Sequence, residues 1–465
     1  MQNLRQNALF LWTVCLAVAI ALTGCSGSVT SAATAGSLVA KSVVQVRLGD
    51  APLDRVLAFE ITVMSVTLTD ASGATTSVLK SPTEVELTHL AGTFEPLSFE
   101  SLPQGTYTRA TITVASPDLT YINPLTGLIV ETHPTLAATT ATVSFPSGGI
   151  AVGSGPTSLN FDFNLANSLA FDASNNVTVT PVFAVSAATV ASNLQEQDTD
   201  NGEVEGVSGA VVSTTGSTIV ISSEESGIQL SIVTDANTSY EGVGGLSSIK
   251  SGEIVQIDAS TNTDGSFLAK KIEIEDDQTN GLEAQGIVTS VAGIPTASFK
   301  VLVQDEASSA PAGSQPALGT EVAVTVSGNT AYDANVDHAE MDGLPFTPVF
   351  DGNTLAPAQR VETDVDSPNA TALLARRVRL QQQSLSGIVS AYNVSNGRGS
   401  FTLTLASDSM FAKLTGLTTV TVYQQPKSLL KNISSINNGD SLMVRGLLFL
   451  AGTQYRLVAS HLVKP

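Results

Sequence analysis

Nucleophilic chemistry near the N-terminus centres on one cysteine. Cys25 follows Leu22, Thr23 and Gly24, which close an uncharged run that begins at Ala8. A cysteine reacts as a nucleophile in its thiolate form, so a lipid donor at a membrane surface can alkylate it. The run is shorter than the ~20 residues of a membrane-spanning helix and is typical of a secretion signal. Because the residues before Cys25 are small, we expect a peptidase to reach the bond there.

The order Leu22-Thr23-Gly24-Cys25 resembles the lipobox of bacterial lipoproteins. The resemblance implies that residues 1–24 are a lipoprotein signal peptide and that Cys25 is the lipid-attachment residue. It also implies export and anchoring to the cell envelope through an N-terminal lipid. Ser26, where an aspartate would favour retention in the inner membrane, points to the outer membrane. The alternative is an uncleaved membrane helix that contains an incidental cysteine.

Beyond this segment, short runs of alternating apolar and polar residues dominate the chain. Residues 25–40 are small and polar, which predicts a flexible tether. Residues 41–193 then contain alternating runs such as FEITVMSVTLT from residue 59. Period-2 alternation predicts strands with one buried face. We therefore expect a two-sheet β-sandwich over 41–193.

This first domain also resembles an uncharacterised family. The runs VRLGDAPLD from residue 46, LPQGTYTRATITV from 102 and TSLNFDFNLANSL from 157 carry the resemblance. They are similar to a bacterial lipoprotein domain of unknown function that opens with Leu-x-Asp-Ala-Pro. The resemblance implies an immunoglobulin-like or prealbumin-like sandwich and brings no known activity.

The second half of the chain repeats itself. An acidic linker over 194–205 leads into three units, at 206–280, at 281–383 with insertions, and at 384–465. About five predicted strands per unit favour a small closed barrel, because closure removes exposed sheet edges. The units resemble a second uncharacterised bacterial domain that occurs in tandem. The predicted fold class is thus all-β, an N-terminal β-sandwich followed by three small OB-like β-barrel repeats.

Two short motifs align the units with one another. Each unit opens with a Gly-x-Val step, and a Thr-x-Tyr step follows an alternating strand. We expect the tyrosines of the second motif to occupy equivalent positions and to be core or barrel-rim residues rather than a binding platform. The residues concerned are Gly209, Gly286 and Gly387 for the first motif and Tyr240, Tyr332 and Tyr423 for the second.

Other residues with catalytic or metal-binding potential are scattered. His89, His133, His338 and His461 lie far apart and match no metal-ligand spacing. We predict that His461 is a solvated strand position, because the sibling units carry lysine or arginine there. The sequence contains no zinc-protease, nucleophile-elbow or phosphate-loop motif. We therefore predict no catalytic residues, no cofactor and no enzymatic activity.

Calcium is the one metal ion that the acidic composition suggests as a ligand. Acidic residues crowd Gly202 and also end the first repeat, and oxygen-rich clusters suit a hard cation. The order around Gly202 departs from the EF-hand loop, so we interpret both clusters as solvated linkers and predict no metal site. The residues are Asp198, Asp200, Glu203 and Glu205 in the first cluster and Glu275, Asp276 and Asp277 in the second.

Charge narrows the classes of partner. The formal net charge is −21, and an acidic surface repels nucleic acid, so we expect no nucleic-acid partner despite the OB-like barrels. Only the last unit is basic, which favours contact with anionic partners. We expect a non-catalytic, lipid-anchored envelope lipoprotein with a structural, adhesive or binding role toward an envelope protein or polysaccharide. The runner-up is a carbohydrate-binding lipoprotein of a glycan-uptake system, and a glycan-active enzyme is third.

Overall fold

The computed structural model describes residues 40–51, 54–90, 94–146, 148–190, 204–223, 228–276, 282–308, 316–336, 339–365 and 372–464. Strands dominate these residues, and their two α-helices are short, α1 at Leu165–Ser168 and α2 at Met410–Thr415. The predicted all-β class is therefore confirmed. Within the same residues, no helix is both long enough and apolar enough to cross a membrane.

The first domain is a β-sandwich, as predicted. Its strands are β1 (Lys41–Ala51), β2 (Val56–Asp70), β3 (Thr75–Ser77), β4 (Thr83–Glu86), β5 (Phe94–Pro103), β6 (Gly105–Ile122), β7 (Ile129–Thr132), β8 (Thr135–Leu136), β9 (Thr140–Ser144), β10 (Ile150–Val152), β11 (Thr157–Asn164), β12 (Leu169–Phe171), β13 (Val177–Val179) and β14 (Phe183–Thr189). One sheet has the order β14-β11-β1-β5, and β1 runs parallel to β11. The other is built on the long antiparallel pair of β2 and β6, which β3, β4, β7, β9 and β10 extend. A small third sheet has the order β12-β13-β8.

Alternation along these strands produces the sandwich core. Phe59 of β2 and Phe163 of β11 come from the two facing sheets, and their ring centroids lie 5.6 Å apart. Phe183 of β14 meets Phe163 edge to face at 4.9 Å. Aromatic pairs in such tilted and edge-to-face geometries add ~0.5–1.5 kcal/mol each beyond the area that they bury. These three phenylalanines therefore contribute to the contact between the two sheets at the centre of the sandwich.

Three barrels follow the sandwich. The first contains β15 (Val204–Thr215), β16 (Thr218–Ser223), β17 (Gln229–Val233), β18 (Ser239–Glu241), β19 (Ile254–Thr261) and β20 (Phe267–Asp276). The second contains β21 (Leu282–Ala292), β22 (Ser298–Ser308), β23 (Glu321–Thr325), β24 (Ala331–Ala334), β25 (Arg360–Val365), β26 (Ala372–Leu374) and β27 (Arg377–Leu380). The third contains β28 (Gln382–Ser395), β29 (Arg398–Thr404), β30 (Thr419–Gln424), β31 (Leu429–Lys431), β32 (Ser441–Ala451) and β33 (Gln454–Val463).

All three barrels close in the same way. In the first, the order β17-β16-β15-β19-β20 is completed by parallel pairing of β20 with β17. The third repeats this with β30-β29-β28-β32-β33 and closes through β30 and β33. In the second, the closing strand is split, so that β26 pairs with β23 and β27 pairs with β25. This five-stranded order is that of an OB-like barrel.

Each barrel has a glycine where its first strand crosses its neighbour at close range. A Cβ at Gly209 would lie 2.7 Å from the carbonyl oxygen of Ser222, and one at Gly286 would come closer still to that of Leu302. A Cβ at Gly387 would lie 2.5 Å from the carbonyl oxygen of Thr404. The Gly-x-Val motif therefore marks a position where any side chain would collide with backbone.

The expected equivalence of the three motif tyrosines is wrong for the third barrel. Tyr240 and Tyr332 occupy matching places on the short extra strand beside the closing strand, and Leu430 holds that place in the third barrel. Tyr423 lies instead on β30, at the place that Val233 holds in the first barrel. Tyr240 and Tyr332 do pack at the edges of their barrel cores, as expected of rim residues.

A hydroxyl group, rather than the tyrosine, is what the three units share at this point. In each unit a threonine or serine two residues before the rim position donates a hydrogen bond to the carbonyl of an alanine near or on the closing strand. The bonds run from Thr238 to Ala269 (2.8 Å), from Thr330 to Ala375 (2.8 Å) and from Ser428 to Ala459 (2.7 Å). In the third unit this role belongs to a serine, Ser428. A pattern that requires Thr-x-Tyr therefore aligns Thr421 and Tyr423 with the other units in place of Ser428 and Leu430.

The sandwich packs directly on the first two barrels. Phe99 of β5 meets Phe267 of the first barrel edge to face, with ring centroids 4.8 Å apart. Leu57 of β2 shares a buried apolar cluster with Leu302 of the second barrel. The Nε2 of Gln304 also donates to the carbonyl oxygen of Leu57 at 2.6 Å. Both interfaces therefore combine apolar burial with directional contacts.

The third barrel is held by the second barrel and by the sandwich. Phe346, in an insertion of the second barrel, lies against Tyr423 with ring centroids 5.2 Å apart. The guanidinium of Arg456 lies over the same Phe346 ring at 4.6 Å, a cation–π geometry. On the sandwich side, the backbone N–H of Met410 donates to the carbonyl oxygen of Asp54 at 2.6 Å.

A buried ionic network joins the first and second barrels. The Arg379 side chain is only 9% exposed and bonds Glu273 of the first barrel and, at 3.1 Å, Asp333 of its own barrel. Lys271 lies 2.9 Å from Glu273 and also 2.9 Å from Glu241. Burial raises the pKa of Glu273, but the charges of Arg379 and Lys271 outweigh it and hold the pKa below its usual value. Glu273 is therefore ionised and depends on these two cations.

Replacing the glycine at the tightest crossing should destabilise the fold. We expect Gly286→Ala to lower the free energy of unfolding by about 3 kcal/mol, because overpacking against backbone cannot relax by a rotamer change. The matched control is Gly328→Ala in the same barrel, where a Cβ would meet nothing within 4 Å. Urea denaturation followed by circular dichroism measures both variants, and equal midpoints would contradict the close crossing.

Removing the guanidinium between the first two barrels should also be costly. We expect Arg379→Met to lower the free energy of unfolding by about 3 kcal/mol at pH 7, because it removes one of the two cations that compensate the buried Glu273. The pKa of Glu273 is depressed below 4.5, so this contribution is present above pH 4.5 and is lost as the pH falls further. Lys300→Met, which removes an exposed pair with Glu321, is the control and should cost under about 1 kcal/mol.

Candidate functional site

Several residues singled out in the sequence lie outside the described part of the chain. They are Cys25, His338, Asp198, Asp200, Glu203 and Asp277. The side chains of Glu205, Glu275 and Asp276 are likewise outside it. Lipid attachment at Cys25 therefore stays a prediction. Among the residues that the structure does describe, no three or more histidine, cysteine or acidic side chains are grouped to hold a metal ion.

Two of the described histidines are buried. The Nδ1 of His89 lies 3.0 Å from Glu86 Oε2, and Glu86 also accepts the backbone N–H of Phe59 at 2.8 Å, so the pair fastens a tight turn to β2. The prediction that His461 is solvated is wrong, because its side chain is only 8% exposed and its Nδ1 lies 3.0 Å from Ser460 Oγ. Both faces of β33 are covered, since the third barrel packs against the second one.

The basic side chains of the third barrel are directed partly toward the rest of the molecule. Arg398 lies 2.6 Å from Glu340 of the second barrel. Lys431 lies over the ring of Phe94 in the sandwich at 5.2 Å, and Arg456 stacks on the second barrel as described above. The positive charge that favours anionic partners is thus used in part for contacts between modules. Lys413 and Lys427 remain exposed.

A cavity lined by both polar and apolar side chains lies where the sandwich meets the second and third barrels. Its lining includes Asp54 of the sandwich, Arg360 of the second barrel and Arg445 of the third. Burial raises the pKa of Asp54 to about 6, the charge of Asp408 adds to the shift, and a hydrogen bond with Ser386 opposes it. The cavity volume of about 60 Å³ suits a few waters, since one water needs ~10–15 Å³ by this measure. This cavity therefore fits a hydrated junction between modules.

A larger pocket lies at the end of β6 in the sandwich. Its volume is about 370 Å³, within the ~300–1,000 Å³ range of small-molecule sites. Asn123, at the end of β6, forms one side, and Glu131 and His133 follow on and after β7. Asn175 and Asn176, in the turn before β13, form the other side. Amide, carboxylate and imidazole groups thus face one open pocket.

One wall of the pocket is a hairpin turn fixed by its own hydrogen bonds. The Oδ1 of Asn123 accepts the backbone N–H groups of Leu125 at 2.9 Å and Thr126 at 3.2 Å. Gly127 adopts a φ of +69°, which returns the chain into β7. Leu125 and Leu128 are held out from this turn with 78% and 65% of their surface exposed. The turn therefore displays apolar side chains beside a polar pocket.

The opposite wall is a second turn organised by one carboxylate. Asp172 Oδ1 accepts the backbone N–H groups of Ser174 at 2.7 Å and Asn176 at 2.9 Å. The Asn176 side-chain amide also bonds Asp172, and this bond chiefly lowers the pKa of Asp172. Tyr121 donates its hydroxyl to the carbonyl of Asn175 at 3.2 Å and so connects β6 to this turn. Both walls are thus fixed without a ligand.

The sheet beside the pocket carries a concentration of negative charge. His133 Nδ1 lies 3.1 Å from Asp118 Oδ2, and Asp118 pairs across the strands with Glu60. Burial, and after it the charges of Glu86, Asp118, Glu84 and Glu131, together raise the pKa of Glu60 to about 7. A site in these surroundings repels anions.

The sequence indicated only fragments of this pocket. His133 matches no metal-ligand spacing, so its position in the sequence does not by itself indicate a site. The turn signals Asn123-Pro-Leu-Thr-Gly and Asp172-Ala-Ser-Asn-Asn are readable as local turns. Nothing in the spacing of these segments indicates that they meet, because β6 and the turn before β13 are brought together only by the folded sandwich.

Two family models match parts of the chain. Residues 41–181 match the model described as Domain of unknown function (DUF4382). Residues 201–273 match the model described as Domain of unknown function (DUF5666). The prediction of two kinds of uncharacterised domain is therefore confirmed, and the second match covers the first barrel.

Comparisons with individual proteins add little. No curated protein matches the chain. A solved structure titled "drosophila Unr CSD456" matches with 11% sequence identity and a TM-score of 0.13, covering 54% of this chain and 94% of that one. A TM-score this low supports no inference about fold or function.

Neutralising Glu60 should change how stability depends on pH. The folded-state pKa of about 7 exceeds the usual value of 4.5 for a glutamate, so the folded protein holds this proton more tightly and loses stability as the pH rises from about 4.5 to about 7. Because the group is partly solvated, we expect Glu60→Gln to add about 1 kcal/mol at pH 8 and little at pH 4.5. Urea midpoints at the two pH values measure this, with Asp342→Asn, an exposed carboxylate in the second barrel, as the control. A gain of the same size at both pH values would contradict the charge crowding.

Proposed function

We propose that this protein is a non-catalytic, lipid-anchored envelope lipoprotein whose β-rich head has a structural, adhesive or binding role. The observation that carries the proposal is the sequence Leu22-Thr23-Gly24-Cys25 at the end of an apolar run, followed by a small polar segment and then by the folded modules. Ser26 after the cysteine favours the outer membrane. An envelope protein or a polysaccharide is the partner class that suits this placement.

The interlocking of the modules supports a head that acts as one body. Residues 40–465 form a single unit in which the sandwich contacts each barrel and the second barrel contacts both others. Buried phenylalanine contacts and the Arg379 network fix the relative positions of the modules. A head of this kind suits the presentation of a binding surface of fixed shape at the end of a tether.

Ala40 and the polar pocket lie at opposite ends of one long strand of the sandwich. The carbonyl of Ala40, where the predicted tether ends, accepts the backbone N–H of Gln104 at 2.8 Å, just before β6 begins. The polar pocket lies beyond the other end of β6, which is 18 residues long. We call it the distal pocket because it lies at the end of β6 that is remote from Ala40.

Carbohydrate binding is a second candidate, and one observation favours it. The distal pocket presents amide, hydroxyl, carboxylate and imidazole groups together in a volume suited to a small ligand. Groups of this kind exchange hydrogen bonds with sugar hydroxyls. A glycan-uptake role would also place such a protein at the outer membrane.

Anchoring can be tested by labelling with radioactive palmitate. We expect Cys25→Ala to abolish incorporation of label and to leave an unprocessed precursor, because the nucleophilic thiol is lost. Cys15→Ala is the matched control, since this second cysteine lies inside the predicted signal peptide and its loss should leave labelling unchanged. Labelled, processed protein from Cys25→Ala would refute the lipid attachment.

A further inference from the structure

We propose that the distal pocket of the sandwich is a saccharide site that accepts neutral or amino-substituted sugars and rejects acidic ones. The proposal rests on the binding role proposed above and names its location and ligand class. The residues that we assign to it are Asn123, Glu131, His133 and Asn176, with Leu125 and Leu128 beside them.

Hydrogen-bonding capacity points to a polyhydroxylated ligand. A sugar hydroxyl both donates and accepts, so its site needs donors and acceptors interleaved. Glu131 supplies two acceptors, and the amide of Asn176 supplies both kinds. The Nδ1–H of a neutral His133 donates to Asp118, which leaves Nε2 as an acceptor for the ligand. Thr132 and Thr135 add hydroxyls on the same side of the pocket. Such a mixture suits rings of hydroxyls better than it suits an apolar ligand.

Preorganisation of the two walls supports the same ligand class. Each sugar hydroxyl gains little from a single hydrogen bond in water, so affinity depends on avoiding the entropic cost of ordering the site. The Asn123 turn and the Asp172 turn are each closed by at least two side-chain-to-backbone hydrogen bonds. The Tyr121 hydroxyl ties the second turn to β6. The site is therefore built before a ligand arrives.

The exposed leucines supply apolar contact for the ligand. Sugar rings carry C–H faces that pack on apolar surface, and the one tryptophan of this chain, Trp12, lies in the predicted signal peptide. Leu125 and Leu128 project from a rigid turn that begins at the pocket residue Asn123. Large apolar side chains exposed to this extent on a fixed turn are candidates for contact with a ligand or partner. We assign them to the flank of the saccharide site.

Charge decides between classes of sugar. Glu131 lines the pocket, and Asp118 and Glu60 lie on the same sheet beside it. His133 is the basic side chain that lines the pocket, and it is paired with Asp118. Arg55 stacks on the Phe171 ring at 3.5 Å, outside the lining. An acidic sugar would meet net negative charge, whereas an ammonium group would be attracted.

The test is a glycan array that displays neutral, amino-substituted and acidic glycans, probed with the full acylated chain in detergent micelles. We expect binding to neutral or amino-substituted glycans and none to acidic ones. For the glycans that bind, Glu131→Ala and His133→Ala should each weaken affinity at least tenfold. Binding to acidic glycans alone, or to none by a protein with native circular dichroism, would overturn the proposal.

A matched variant separates the site from general charge effects. Asp342→Asn removes an exposed carboxylate from the second barrel, outside the pocket, and should leave affinity unchanged within twofold. An equal loss in Asp342→Asn and Glu131→Gln would overturn the location of the site. The Cys25→Ala chain should keep full glycan binding, so a failure of anchoring and a failure of sugar recognition give different results.

Discussion

Closure of a five-stranded sheet is the constraint on which most of this structure depends. A sheet this narrow closes only if its first strand coils sharply across its neighbours, and the crossing leaves no room for a Cβ at Gly209, Gly286 or Gly387. Closure also removes the hydrogen-bonding edges that would otherwise invite pairing between chains. The glycine therefore appears once in each unit because the same geometric problem is solved three times.

The outer surfaces of the closed barrels carry both apolar and charged side chains, and these side chains form the contacts between the modules. Leu447, Phe449 and Val458 of the third barrel belong to the same buried cluster as the core of the second. Between the first and second barrels the contact is ionic, through Arg379 and Glu273. An apolar contact of this kind gains from burial, whereas a buried ion pair stabilises little on its own and mainly penalises arrangements in which the charges are unmatched. We interpret the ionic contact as a fixing of orientation.

The fold was predictable to the extent that its physics is local. Alternation along strands such as Thr218–Ser223 buries one face and leaves the other half-buried, so it can be recognised without knowing the partner strand. The error at Tyr423 arose because the shared element is a hydroxyl bond to a carbonyl, which Ser428 makes as well as a threonine does. His461 was misjudged because both faces of β33 are covered in the folded protein, which the sequence of the strand alone does not show. The distal pocket was missed for the same reason, since Asn123 and Asn175 meet only across the folded sandwich.

The polar groups of the junction cavity and of the distal pocket have different roles. This difference supports the proposal that the distal pocket is the binding site. At the junction, polar side chains serve contacts between modules, as Gln304 does with Leu57, in a space for a few waters. In the distal pocket, Glu131 and His133 are exposed and join no two modules, while the nearby Glu60 is held among like charges that raise its pKa. Crowded carboxylates cost stability at neutral pH. Beside a rigid polar pocket the same charges would exclude anionic ligands, as the proposed saccharide site requires.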